Sequence, residues 1–231
     1  MIILEFLEGD FAQERTTGFD GDSNLKRVTK ILDEINNPYI IQWANSLGFR
    51  HLSYTRELNK YAELGTKVHN EIEDILHRVN CPFYFTHYET PGAYAFYTWL
   101  DNKKKQGLKL KVLDIEKSII GKYFCGTLDC IMQIGGETYL IDFKTSSSIS
   151  YKYYMQLCAY RYLLILMGYK YHIDKMMILQ VDKYNPDKFK EYIIDCKTDY
   201  DKIELITKAF LELVLLSYKL DEVRNYNFKG E

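Results

Sequence analysis

The sequence predicts an α/β chain, a mixed β-sheet flanked by helices and entered through a mainly helical N-terminal region. Three observations predict it. Two β-rich runs, Tyr123 to Ile134 and Glu137 to Thr145, flank Gly135-Gly136. Helical periodicity dominates the chain before residue 106. After the paired runs, the strongly apolar stretch Tyr151 to Met167 reads as a buried helix, and further strands follow it.

The chain is long enough for one large domain, and a single domain over 1–231 is expected. Residues 1–106 form its mainly helical part, 107–198 its sheet core, and 199–231 a last helix and tail. At 47% hydrophobic and 15% aromatic residues it can build a core. The net charge of −2 excludes a uniformly basic nucleic-acid coat and leaves room only for a local basic groove. Tyrosine is abundant at 21 residues, enough for base-stacking surfaces as well as core edges. Five scattered cysteines with no C-x-x-C pair give no disulfide, zinc or iron–sulfur pattern. No signal peptide and no apolar run of transmembrane length is read, so no membrane partner is expected. Reduced thiols point to the cytoplasm.

Taken in order, Ile2 to Leu7 suits a short strand, and Thr16 to Ser23 a loop. Leu25, Val28, Ile31, Leu32 and Ile35 repeat with helical period over Asn24 to Ile35. Pro38 opens the next helix, which Gly48 ends. A long helix runs from about Tyr54 to Val79 and stops before Cys81-Pro82. Residues 89–106 are helical, with Trp99 among aromatics that could stack on bases. They end in Lys103-Lys104-Lys105, either a solvated face or a contact for backbone phosphates. Leu108 to Ile119 alternates as a strand. Beyond the helix at 151–167, Asp174 to Asp182 and Phe189 to Cys196 read as strands, and Asp199 as the cap of a helix to about Leu220.

The central paired runs carry the chemistry. A two-residue Gly-Gly loop predicts a tight hairpin, since both central residues of a type I′ turn need φ > 0. Its register sets Asp129 directly opposite Asp142 and Thr127 opposite Lys144. Asp142 and Lys144, two apart, share a face. Two carboxylates roughly 4.5–5.5 Å apart at Cβ with an ammonium beside them repel unless a cation compensates. Mg²⁺ or Mn²⁺ suits such hard oxygen ligands. A solvated outer face is the competing reading of the same carboxylates.

Gly65 and His69, four apart on the long helix, share a face, as do Lys152, Gln156 and Tyr160 on the later one. The hydroxyls of Thr145 and Ser146 could cap that later helix or hold a phosphate.

Asp129 with Asp142-Phe143-Lys144 resembles the active-site signature of the PD-(D/E)XK nuclease superfamily. Gly65/His69, Gly126/Asp129, Asp142/Lys144 and Gln156/Tyr160, in that order, resemble its RecB-type branch, which includes phage and mitochondrial single-strand exonucleases. The match covers about residues 60–165, with a looser lead-in from about 24. The resemblance implies a restriction-endonuclease-like αβββαβ core. It also implies one or two Mg²⁺ or Mn²⁺ ions on His69, Asp129, Asp142 and the Phe143 carbonyl. Glu116 lines that site by the same resemblance, with Asp114 on its face as a rival. Lys144 would position water, Gln156 would orient that water or Lys144, and Tyr160 would contact a phosphate. Lys152, Thr145, Ser146 and the Lys103–Lys105 run are candidates for DNA contact. Some relatives hold an iron–sulfur cluster through four cysteines, a set this chain lacks.

The implied activity is exonuclease action on DNA ends, on single strands, in replication, repair or recombination. A structure- or sequence-specific endonuclease, and a silent DNA-binding or assembly protein of the same fold, are the alternatives.

Overall fold

A computed structural model describes residues 25–36, 38–79 and 88–226. The expected strand at 2–7, the loop at 16–23 and the break at Cys81-Pro82 lie outside the described residues. The elements in order are β1 (Lys26–Arg27), α1 (Val28–Leu32), α2 (Pro38–Phe49), α3 (Tyr54–Arg78), α4 (Pro91–Lys105), β2 (Leu110–Ile120), β3 (Phe124–Ile134), β4 (Glu137–Lys144), α5 (Tyr151–Leu166), β5 (Lys175–Val181), β6 (Phe189–Asp195) and α6 (Tyr200–Asn225).

The hairpin is present. Gly135 and Gly136 take φ of 61° and 99°, which suit a type I′ turn. β3 and β4 pair antiparallel from Ile134↔Glu137 to Cys130↔Ile141. On its other edge β3 pairs antiparallel with β2. β4 pairs parallel with β5, and β5 pairs antiparallel with β6. The α5 crossover permits the parallel step. The result is a six-stranded mixed sheet with helices on both faces.

Two cores follow from the alternation of the strands. On one face α1, α5 and α6 pack Val28, Leu157, Leu163 and Phe210 against Leu128, Ile131, Leu140 and Ile178. On the other, α3 and α4 pack Val68, Ile72, Phe96 and Trp99 against Cys130, Met132, Ile141 and Phe143.

Two expectations need correction. The helix read over Asn24 to Ile35 is only Val28–Leu32, because Lys26–Arg27 pairs parallel with Phe124–Cys125. Cys125 already meets Ile120 of β2 on one edge, so β1 completes the edge that β4 leaves. Asp199 does precede the last helix, but its side chain makes no cap. Its carboxylate accepts from the Asp195 N–H instead, and the helix runs on to Asn225.

No helix among the described residues is long and apolar enough to cross a membrane.

Candidate active site

The site forms where the central strands part. The predicted pairing stops at Cys130↔Ile141, so Asp129 is not in ladder register with Asp142, nor Thr127 with Lys144. The alternation of β3 breaks at the same place. Leu128 belongs to one core, and Cys130, two residues on, to the other. On the neighbouring strand Glu116 has φ of 43°, a left-handed value rare outside glycine. It lies between the pairs Ile115↔Cys130 and Lys117↔Leu128. The backbone of β4 still finds a partner, because Asp129 Oδ2 accepts a 2.7 Å hydrogen bond from the Phe143 N–H.

Asp142 is 1% exposed. Lys144 Nζ lies 2.7 Å from its Oδ2, and among the described residues no group donates to Oδ1. Burial raises the Asp142 pKa, and the Asp129 charge adds to this against the pull of Lys144. Burial raises Asp129 too, against Lys144 and the Phe143 N–H. Although Glu116 is exposed, partial desolvation and the charges of Asp129, Glu73 and Asp142 push its carboxyl up to about 7. Burial alone would lower Lys144, but Asp142 and Asp129 outweigh it and keep the ammonium protonated above its usual range.

Helix α3 brings His69 to this cluster. Its Nδ1 is 3.9 Å from Asp129 Oδ2, and its ring stands edge-on to Phe143 at 6.3 Å. Burial and the Lys144 charge hold the imidazole below its usual pKa, against Asp142 and a hydrogen bond with the Phe143 backbone. It is neutral at neutral pH. Gly65 allows this approach, since a Cβ there would stand 3.2 Å from Thr145 Oγ1.

Helix α5 supplies the buried pair Gln156 and Tyr160, with Gln156 Nε2 donating to Tyr160 Oη at 3.0 Å. The phenol pKa rises through burial and, in part, through Asp142, Asp129 and Glu116, so the hydroxyl stays neutral beside them. Gly126 makes room for that ring: a Cβ at 126 would lie 2.5 Å from Tyr160 Cε1.

The remaining expected residues stand apart or are engaged elsewhere. Lys152 Nζ holds the Ile35 carbonyl. Lys103 pairs with Glu191 and Lys105 with Asp101, both at the end of α4. Ser146 Oγ donates to the Ser148 carbonyl. Trp99 is no stacking surface: it is 1% exposed, packed on Phe96, with its indole N–H on Glu191. Asp114, the rival of Glu116, is taken by Lys117 and Tyr169.

Sequence reasoning missed two neighbours. Tyr153 lies under Lys144 Nζ at 4.9 Å, and Glu73 faces the Glu116 charge from α3. Glu73 is one turn after His69, so helical spacing could have shown it. Nothing in the sequence singled out Tyr153 from its neighbours.

Among the described residues no three of His, Cys, Asp and Glu stand ready-made as a metal-binding group. The Lys144 ammonium supplies the positive charge that Asp142 faces. The donor chemistry nevertheless fits a hard divalent ion. A buried carboxylate oxygen without a hydrogen bond is costly, and a cation relieves that cost.

No family model matches the chain, and no curated protein matches it. A solved structure described as "Crystal structure of SSO0001" is similar at 18% sequence identity and a TM-score of 0.38, over 92% of this chain and 87% of that one. A likeness so distant carries no argument about activity.

Proposed function

We infer that the chain is a metal-dependent nuclease that hydrolyses DNA phosphodiesters from ends, with single strands as its substrate. The observation that carries this reading is the buried Asp142, with one carboxylate oxygen unbonded and the other against Lys144. A purely structural ion pair gains little from leaving a buried oxygen unsatisfied.

Asp142, Asp129 and the Phe143 carbonyl would hold Mg²⁺ or Mn²⁺, with His69 as a neutral nitrogen donor and Glu116 at the rim. When bound, such an ion supplies Lewis acidity toward a phosphoryl oxygen and makes water a stronger nucleophile at neutral pH. Lys144, held protonated by its two carboxylate neighbours, is a donor: it orients the attacking water and offsets charge that develops on the phosphate. It is not a base in this state. Gln156 fixes the Tyr160 hydroxyl, which keeps its proton and can donate to phosphate. Asp129 holds the β4 backbone at Phe143 and so fixes the direction of the neighbouring carbonyl.

The test is cleavage of single-stranded DNA labelled separately at its 5′ and 3′ ends, with a closed circle alongside. Stepwise loss from one end with the circle intact is expected. Cutting of the circle would replace the end-dependent reading with an endonuclease.

A further inference from the structure

The carboxyl ends of the parallel strands β4 and β5 open into a cavity of about 780 Å³. Ligands of open α/β sheets bind in this position. Two kinds of side chain line it. Tyr184 is 65% exposed and Tyr61 38%, and Trp43 stands edge-on to Tyr61 at 5.7 Å. Lys183, Lys188 and Lys190 bring three ammonium groups, against the single carboxylate of Asp182. Asp182 is already occupied by the Tyr184 N–H at 2.9 Å and by Lys188 at 3.5 Å. The lining is therefore basic on a chain whose net charge is −2.

The cavity adjoins the acid–lysine centre. Tyr153, under Lys144 Nζ, lines it, as do Thr145 and Ser146, which directly follow Lys144. Tyr184, 65% exposed, beside the exposed Lys188 and Lys190 suits unpaired bases on a charged backbone, while the Tyr61 ring is already under Lys183 Nζ at 4.9 Å. A duplex keeps its base faces inside its own stack and cannot use the tyrosines.

We propose that this groove holds the single-stranded DNA segment next to the scissile phosphate. A base stacks on Tyr184, and phosphates pair with Lys188 and Lys190. The strand passes Tyr153 to reach Lys144. This rests on the nuclease reading for its direction of travel, but binding is measurable without cleavage.

The experiment is fluorescence anisotropy of a short labelled oligothymidylate with the full chain in EDTA. Tyr184→Ala and the double variant Lys188→Gln/Lys190→Gln are compared with wild type, and Tyr200→Ala, exposed but outside the groove, serves as control. All of these side chains are exposed, and matched melting curves confirm that each variant folds. Tyr184→Ala is expected to weaken binding about tenfold. The double lysine variant is expected to flatten the slope of log K against log salt by about 1.4. Tyr200→Ala is expected to bind as wild type. Unchanged binding by both groove variants would overturn the proposal, as would equal affinity of wild type for a duplex or an RNA of the same length. Metal-dependent cleavage by wild type with unchanged binding in the variants sinks the groove and spares the nuclease. Weakened binding in the variants of a protein that never cleaves supports the groove and removes the nuclease.

Discussion

Asp129 accepts a 2.7 Å hydrogen bond from the Phe143 N–H, so a side chain does what the next rung of the β3–β4 ladder would have done. This single substitution of side chain for backbone lets the strands part without leaving a buried donor unsatisfied. It also anchors the Asp142–Phe143 peptide. Asp129→Ala removes the acceptor and strands the N–H. A loss of about 1–3 kcal/mol in chemical denaturation is expected, while Asp129→Asn, which keeps an acceptor oxygen, loses less. Equal losses in the two variants would show that the bond does not hold the strands.

Lys144 pairs with the buried Asp142 while itself 17% exposed, and removing one partner should cost more than removing both. Lys144→Ala leaves Asp142 facing Asp129 without its counter-charge, for a loss of about 3–5 kcal/mol. Adding Asp142→Asn to that variant should restore most of the stability but no cleavage. Additive losses in the double-mutant cycle would contradict the pairing.

Glu116 gives a pH dependence. Its carboxyl sits at about 7 in the fold, against roughly 4.3 in the unfolded chain. A raised native pKa means that the favourable contribution is complete below the unfolded value and is lost as pH rises through about 7. Glu116→Gln keeps the shape without the charge. In EDTA it should raise Tm more at about pH 8 than at about pH 5. The same gain at both values would mean that the carboxyl does not feel its acidic neighbours.

A divalent ion should stabilise the fold through the same carboxylates. With Mn²⁺ at about 100 times its Kd, linkage gives about 2.7 kcal/mol for one site. Wild type should show a rise in Tm that a chelator reverses, and Asp142→Asn should show none. An equal rise in the variant would place the ion elsewhere.

The legible part of the fold was the part set by local chemistry. Gly135-Gly136 fixed a turn, and the turn fixed five pairs of register down to Cys130↔Ile141. Period-3.6 patterns gave α3 and α5, and with them His69, Gln156 and Tyr160. Extending the register one step further failed at Asp129. The strand changes face there, and the left-handed backbone at Glu116 marks the same irregularity in β2. Period-2 reasoning assumes an unbroken pleat. The β1 strand was hidden for a different reason: two residues pair only because β4 leaves an edge of β3 open. The lysine run at 103–105 looked free in sequence, but its partners Glu191 and Asp101 meet it only through helix geometry and the packing of α4 on the sheet. The aromatic groove draws on residues as far apart as Trp43 and Lys190, a convergence that only tertiary structure supplies.

The most direct measurement is the cleavage of single-stranded DNA by wild type and by Asp142→Asn, each shown to be folded, in Mn²⁺, in Mg²⁺ and in EDTA. Wild type is expected to cleave with metal and not in EDTA, and the variant under no condition. Undiminished cleavage by Asp142→Asn, or a folded wild type that cuts no DNA with either metal, would contradict it.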